Sequence, residues 1–225
     1  MRSRSSCRRR AWIRAALSAE QKRFLETTAS QYAGHLHEAA EWLEGRGIDL
    51  GHAAYEGLGV VRNAPAIHEQ YEGRLSIPYI TQYGVVAIRF RCMKDHSCKD
   101  HGHGKYLGPK HQKNTLYGVR SFADAVDWIG ICEGELDSLI LRQIGIPAIS
   151  IPGSTNWEGF WPNVFEDLSR LYVFADGDEA GEGMYNTLRD KLKMPVIKVR
   201  LPKGEDVNST FLKHGAQAIV DRIKK

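Results

Sequence analysis

The feature that most constrains the fold is an alternation of strand and helix patterns in the second half of the chain. Short apolar runs predict four strands, at 128–132, 147–151, 170–175 and 195–200. Longer amphipathic segments predict helices at 135–144, 162–169 and 179–192, with further helices after the last strand. Strands that alternate with helices form βαβ units, so the sequence predicts an α/β fold with a mainly parallel sheet flanked by helices.

Acidic residues follow two of these predicted strands directly. Glu133 comes after the first strand, with Asp137 four residues later, and Asp176 and Asp178 come after the third. The carboxyl ends of parallel strands meet at one edge of a sheet, and residues two apart in an extended segment point the same way. We therefore expect these carboxylates to lie together, with Asp206 after the fourth strand completing the edge.

Clustered carboxylates repel one another, so a bound cation is their natural compensation. Carboxylate oxygens suit Mg²⁺ or Mn²⁺, and such sites handle phosphates. Taken singly, each acid is more often a surface group or a helix cap, and Asp137 and Asp178 are plausible caps. Their joint occurrence at strand ends favours a metal site.

The first half predicts a smaller α+β subdomain. Residues 18–63 read as helical, because Ser18 and Gln21 form a capping-box pattern and apolar residues recur at threes and fours as far as Leu43. Residues 74–80 and 84–91 predict two strands that are joined by a hairpin loop.

A basic stretch at 89–113 follows these strands. It holds seven Lys or Arg residues, two Asp, four His and Tyr106, which is typical of a loop that contacts phosphates and stacks on a base. A solvated loop is an equally good interpretation. Cys and His residues also cluster here, at Cys92, His96, Cys98, His101 and His103. A zinc site built from Cys92, Cys98, His101 and His103 is the alternative, but the spacing matches no established zinc pattern, so we favour the nucleic-acid loop.

The formal net charge of +4 comes from the amino terminus. Six arginines precede the first acidic residue, at Arg2, Arg4, Arg8, Arg9, Arg10 and Arg14. This tail, residues 1–17, is interpreted either as attraction to nucleic acid or as a disordered solvated segment. No apolar run is long enough to span a membrane, and the scattered cysteines are typical of a reducing cytoplasm, which is the predicted location.

Residues 128–206 resemble the TOPRIM domain, which is shared by DnaG-type primases, topoisomerases, OLD-type nucleases and RecR proteins. The pattern of that domain is a glutamate after the first strand and Asp-x-Asp after the third, and Glu133, Asp176 and Asp178 match it. The run Asp-Gly-Asp-Glu-Ala-Gly at 176–181 is similar to the primase form. The resemblance implies a TOPRIM sheet over residues 128–225.

The region before it resembles the amino-terminal half of the DnaG-type RNA polymerase core. The similar segments are 74–78, 84–91, 105–107 and 116–118. In that family, basic residues of this half line a groove for the template strand and nucleotides, and the matching positions here are Arg74, Arg91 and Lys105. The implied organisation is a tail at 1–17, a helical and β subdomain with its basic loop at 18–127, and TOPRIM after it.

The resemblance implies a primase-like RNA polymerase that makes short RNA primers on single-stranded DNA in replication. Glu133, Asp176 and Asp178 would be catalytic metal ligands, supported by Asp137 and Asp206, and nucleoside triphosphates would be substrates. The family's zinc-binding and helicase-binding domains are expected to be missing, so a separate zinc-binding module and a replicative helicase are implied partners. A TOPRIM nuclease and a non-catalytic RecR-like DNA-binding mediator remain the alternatives.

Overall fold

The computed structural model describes residues 17–110, 112, 114–151, 157–176 and 179–223 of the 225 in the chain. It divides into two compact units, one spanning 17–113 and the other 114–225. The predicted tail at 1–17 lies outside the described residues except for Leu17. Among the helices of the described segments, none combines the length and apolar character needed to cross a lipid bilayer.

The first unit packs short helices against an antiparallel sheet. Its helices are α1 (Ala19–Ala33), α2 (Ala40–Glu44) and α3 (Leu50–Tyr55). Its strands are β1 (Gly59–Val60), β2 (Leu75–Thr81), β3 (Gly84–Arg91) and β4 (Tyr106–Leu107), in the order β1-β2-β3-β4. The predicted hairpin is confirmed, with Thr81 paired to Gly84 across a two-residue turn. The predicted α+β character of this half is therefore also confirmed.

The predicted start of α1 is confirmed by its capping box. The Gln21 N–H donates to Ser18 Oγ at 3.1 Å, and the Ser18 N–H donates to Gln21 Oε1 at 2.8 Å. The single helical face as far as Leu43 is broken, because α1 ends at Gly34 and a 3₁₀ turn precedes α2. The apolar residues of that face still point inward, since Tyr32 and Leu43 are fully buried.

Aromatic rings hold β3 against the helices of the first unit. Phe90 of β3 stacks on Tyr71 with ring centroids 4.0 Å apart. The buried His68 meets the edge of Phe90 and lies 3.0 Å from the hydroxyl of Tyr32 through its Nδ1. Burial lowers the pKa of His68, which favours a neutral ring in this core. These contacts fix the strand whose last residue, Arg91, leads into the loop at 92–105. This loop carries the Cys and His cluster and is called the Cys/His loop below.

The second unit is a parallel sheet flanked by helices, as the strand and helix alternation predicts. The strands are β5 (Trp128–Cys132), β6 (Ala148–Ser150), β7 (Arg170–Phe174) and β8 (Val196–Lys198), in the order β6-β5-β7-β8. The helices are α4 (Glu135–Gln143), α5 (Glu179–Lys191) and α6 (Val207–Ile223), the last broken at Gly215, which has φ 75°. All three strand pairings are parallel.

Two segments of the second unit differ from the sequence prediction. The predicted helix at 162–169 is only a short 3₁₀ turn, Trp161–Val164, although Trp161 and Phe165 are buried in the core as the apolar spacing requires. Residues 114–127 pack with this unit, because Tyr117 bridges to Ser150 at the end of β6 and Phe122 lies in the same core. Core packing therefore explains the apolar spacing around Trp161 without a regular helix, and it places residues 114–127 with the second unit.

Candidate metal centre

The two strands that carry the predicted metal ligands end level with each other. Cys132 is paired with Phe174 in the parallel β5–β7 register, and these are the last residues of their strands. Glu133 follows the first strand immediately and Asp176 follows the second after one residue. Both side chains are half-buried. The register thus places two acidic loops at one edge of the sheet, as predicted.

Asp137 joins this edge from the first turn of α4. Its Oδ1 accepts a hydrogen bond from the backbone N–H of Asn208 at 3.1 Å. A Cβ at Gly134 would lie 2.5 Å from Asp137 Oδ2, so a larger residue there would push this carboxyl out of its present position. Asp137 is thereby held between the amino-terminal ends of α4 and α6.

The pKa of Asp137 shows that other carboxylates lie near it. Its pKa is raised from 3.8 to about 7, first by burial and then by the negative charges of Asp206 and Asp176. Those charges can act on Asp137 only if the three carboxylates are near one another, since the interaction falls with distance. Carboxylates from three separate segments therefore form one acidic cluster.

Asp206 has a second role that the sequence prediction did not include. It caps α6, because its Oδ1 accepts the Ser209 N–H at 2.7 Å and the Ser209 hydroxyl at 2.6 Å. Its own N–H donates to Ser209 Oγ at 2.9 Å. The cap fixes the direction of the carboxylate, so Asp206 contributes negative charge to the cluster from a rigid position.

The Asp-x-Asp segment is described only in part. Asp178 lies outside the described residues, whereas Asp176 is described. A Cβ at Gly181 would overlap the backbone of Asp176, so the first turn of α5 lies directly against this loop. Glycine is required there by close approach, which explains its place five residues after Asp176 in the sequence.

The donor types at this edge suit a hard divalent cation. Glu133, Asp137 and Asp176 supply carboxylate oxygens, which are the ligands that Mg²⁺ and Mn²⁺ prefer. The neighbouring Cys132 is not such a ligand, because burial raises the pKa of its thiol well above the usual value. Its Sγ instead lies 3.6 Å from the carbonyl oxygen of Ile149 inside the sheet, so it is a core residue.

The predicted nucleic-acid residues of the first unit differ greatly in exposure. Lys105 is exposed, while Arg74 and Tyr106 are half-buried. Arg91 is only 4% exposed, with its guanidinium 4.8 Å from the ring centroid of Tyr106 and 5.6 Å from that of Trp42. Its Nη1 donates to the carbonyl of Cys92 at 3.2 Å. Arg91 is therefore packed between aromatic rings, and Lys105 is the most exposed cation of the set.

The Cys/His loop brings four donor side chains together. Cys92, His96, Cys98 and His103 each place one ligand atom so that all of these atoms lie within 4.8 Å of one another. The zinc site considered as an alternative from the sequence contains His101, whereas the structure brings His96 into the group. The ring of His101 instead packs on that of His96, with centroids 4.2 Å apart, and its Nδ1 lies 3.2 Å from the carbonyl of Ser97.

A cavity of about 610 Å³ opens beside these four side chains. Its basic lining residues are Arg46, Arg91, Lys94, Lys99 and Lys105. Burial and the neighbouring Cys92 raise the pKa of Cys98, while Arg91 and Arg74 act in the opposite direction. The positive charge of the first unit is therefore concentrated in the stretch at 89–113, which holds seven Lys or Arg against two Asp, whereas residues 128–225 hold 12 Lys or Arg against 14 Asp or Glu.

Known proteins similar to this chain agree with this architecture. A family model described as Toprim-like matches residues 130–211. The Gene 57 protein of Mycobacterium phage D29 is 31% identical over 158 residues, which cover 68% of this chain and 99% of that protein. The model match spans the acidic edge of the second unit, and the phage relative extends the likeness over most of the chain.

Two solved structures are similar over nearly the whole chain. The RNA polymerase domain of Mycobacterium tuberculosis primase DnaG matches with a TM-score of 0.73 and 20% identity, covering 92% of this chain and 84% of that chain. A DnaG primase catalytic domain bound to single-stranded DNA matches with a TM-score of 0.71 and 19% identity, covering 90% and 80%. At these identities the likeness establishes the fold.

Gly181 offers a test of the close approach between α5 and the Asp176 loop. Gly181→Ala should lower the free energy of unfolding by about 1–3 kcal/mol, because its Cβ overlaps the Asp176 backbone. Gly183→Ala is the matched control on the same helix, since its Cβ would meet no described atom within 4 Å. That control should be stabilising by up to about 1 kcal/mol. Equal effects in urea unfolding would contradict the account.

The raised pKa of Asp137 predicts how the stability of the protein depends on pH. Because its pKa is raised in the folded state, its charge lowers stability at high pH, and this penalty fades as the pH falls towards 4. Asp137→Asn should therefore raise the unfolding free energy of the metal-free protein, on the order of 1–3 kcal/mol near pH 8. The gain should shrink between about pH 7 and pH 4.

Asp190→Asn, at an exposed position of α5, is the control for Asp137→Asn and should show no such pH dependence. Denaturant unfolding across this pH range is the measurement. A gain for Asp137→Asn that is constant with pH, or a loss at high pH, would refute the carboxylate cluster.

Proposed function

This chain belongs to the family of the phage D29 Gene 57 protein and has the fold of the DnaG primase RNA polymerase domain, and on that premise we propose that it catalyses template-directed RNA synthesis. The observation that carries the proposal is the acidic edge of the parallel sheet. Glu133 and Asp176 follow strands that end level there, and the charge of Asp176 acts on Asp137, which supports a shared metal site at this edge. The single-stranded DNA bound to one such relative supports the same class of template.

The proposed reaction is a nucleotidyl transfer. The 3′-hydroxyl of a nucleotide attacks the α-phosphate of an incoming nucleoside triphosphate, so that the O3′–P bond forms and the bond to pyrophosphate breaks. When bound, Mg²⁺ or Mn²⁺ supplies positive charge that acidifies the hydroxyl and stabilises the transition state. Glu133, Asp176 and Asp178 are the proposed ligands of this cation, and the hydroxyl proton leaves to solvent.

Asp137 and Asp206 have supporting roles in this proposal. Asp137 is held by the Asn208 N–H, and with its pKa raised to about 7 it gives up its proton near neutral pH, so that it can orient the cation from the helix side as a carboxylate. Asp206 is fixed by its cap on α6, so its charge stays near Asp137 throughout turnover. The rigidity matters because a transition-state charge is stabilised best by groups that need not reorganise.

Template binding is assigned in this proposal to the first unit. Lys105 and Arg74 carry the exposed and half-exposed positive charges that a phosphate backbone requires. Tyr106 offers a ring for base stacking, although Arg91 already lies 4.8 Å from its centroid. Arg91 is therefore better described as the support that holds Tyr106 than as a direct phosphate contact.

Asp176→Asn tests the catalytic role of the acidic edge. Without the charge of this carboxylate, extension of an annealed RNA primer on single-stranded DNA with ribonucleotides and Mg²⁺ should fall by at least about 10²-fold. The exposed Asp190→Asn should extend normally. Unchanged extension by Asp176→Asn at saturating Mg²⁺ would overturn the proposal. Template cleavage without RNA product, lost in the same variant, would indicate the nuclease instead.

Lys105→Ala tests the assignment of the template to the first unit. Removing one phosphate contact should weaken single-strand binding at every sequence and reduce the slope of log affinity against log salt by roughly 0.7. Lys193→Ala, an exposed lysine of the second unit, is the control and should leave the slope unchanged. Fluorescence anisotropy at several salt concentrations is the measurement. An unchanged slope for Lys105→Ala would place the template elsewhere.

A further inference from the structure

The connection between β3 and β4 is closed at its base by the sheet. Arg91 and Tyr106 are paired across the two strands, and the Cys92 N–H donates to the Lys105 carbonyl at 2.9 Å. Within the loop, the His103 N–H donates to the Cys98 carbonyl at 3.0 Å. The backbone thus brings Cys92, at the start of the loop, next to residues near its end.

The loop has little apolar material to hold it together. Lys94, Asp95, Ser97, Lys99 and Asp100 are all exposed. The inward-facing side chains are instead the four donors Cys92, His96, Cys98 and His103, with Cys92 buried and the others half-buried. A segment that turns inward two thiols and two imidazoles, rather than apolar groups, lacks the burial that ordinarily stabilises a loop.

The separation of the donors suits one tetrahedral ion. Bond lengths of about 2.3 Å to sulfur and 2.0–2.1 Å to nitrogen put neighbouring ligand atoms of a tetrahedral zinc site roughly 3.3–3.8 Å apart. The distance from Cys92 Sγ to His96 Nε2 is 3.4 Å. All four donor atoms lie within 4.8 Å of one another, so a small inward adjustment completes the tetrahedron.

The donor types select the metal. Thiolate and imidazole ligands favour zinc over Mg²⁺ or Ca²⁺, which prefer oxygen. Four protein ligands fill a tetrahedral coordination sphere and leave no open position, which is the mark of a structural rather than a catalytic site. The Nδ1 of His103 also lies 3.2 Å from the carbonyl of Gly104, the kind of outer contact that orients a metal-bound imidazole through its other nitrogen.

We propose that Cys92, His96, Cys98 and His103 bind one structural zinc ion that fixes the loop between β3 and β4. Two thiolates balance the charge of the ion, so the site is electrically neutral and leaves the positive charge of the surrounding residues intact. Arg74 is linked to the site through Gly104, since its Nη1 donates to the Gly104 carbonyl at 3.3 Å, and the same oxygen lies 3.2 Å from His103 Nδ1. The ion therefore sets the position of Arg74 and of the adjacent Lys105.

The adjacent histidines of the loop provide a matched pair of variants. The full chain, purified under reducing conditions, should contain about one zinc per molecule by elemental analysis, as one four-ligand site requires. His96→Gln should lose the zinc, whereas His101→Gln should retain it because His101 lies outside the donor set. Asp176→Asn should also retain it, which separates this site from the acidic edge of the other unit.

Substitution by Co²⁺ in the wild-type protein gives a readout that does not depend on how well any variant folds. The wild-type protein loaded with Co²⁺ alone should show the visible bands of a tetrahedral site and the charge-transfer band of cobalt–thiolate bonds. Cys98→Ser should weaken the charge-transfer band. A wild-type protein that holds neither zinc nor cobalt in this form would overturn the proposal, as would zinc retained by His96→Gln and lost by His101→Gln. None of these outcomes depends on RNA synthesis.

Discussion

The register of β5 against β7 is the constraint on which the acidic site depends. Pairing of Cys132 with Phe174 makes the two strands end together, and the fully buried Ile131 and Val173 lock that register inside the core. A slip by one residue would turn every side chain to the other face of the sheet and move Glu133 away from Asp176. The apolar sheet therefore stabilises an arrangement of charges that repel one another.

In the described part of the chain, two groups of side chains are arranged unfavourably unless a cation is bound. In the second unit, the raised pKa of Asp137 reflects the free energy of holding a carboxylate near Asp176 and Asp206. In the first unit, Cys92 and His96 occupy the interior of a loop that has little apolar packing. Both arrangements become favourable when a cation is bound, but oxygen donors select Mg²⁺ and the sulfur and nitrogen donors select zinc.

The level ends of β5 and β7, which lead into the acidic loops, could be predicted from the sequence because they depend on local patterns. Glu133 and Asp176 each follow a short apolar run, and the ends of parallel strands meet at one edge whatever the details of packing. The capping box at Ser18 and the hairpin at Thr81 are equally local, so they were also predicted correctly. The helix at 162–169 was wrong because the periodic burial of Trp161 and Phe165 is satisfied there without a helix.

The Cys/His site required information that the spacing does not contain. Which histidine joins Cys92 and Cys98 is decided by how the loop folds back from β3 to β4, and this places His96 inside and leaves His101 packed on its ring. Burial of Arg91 between Trp42 and Tyr106 is likewise a tertiary contact. A count of basic residues in the loop describes its charge but not which charges reach solvent.

The most direct test of the central claim is to locate a divalent cation at the acidic edge. Crystals of the full chain soaked in Mn²⁺ should give an anomalous difference peak within bonding distance of Glu133 and Asp176 carboxylate oxygens, and the peak should vanish in Asp176→Asn. Ordered carboxylates with no peak beside them at saturating Mn²⁺ would contradict the account.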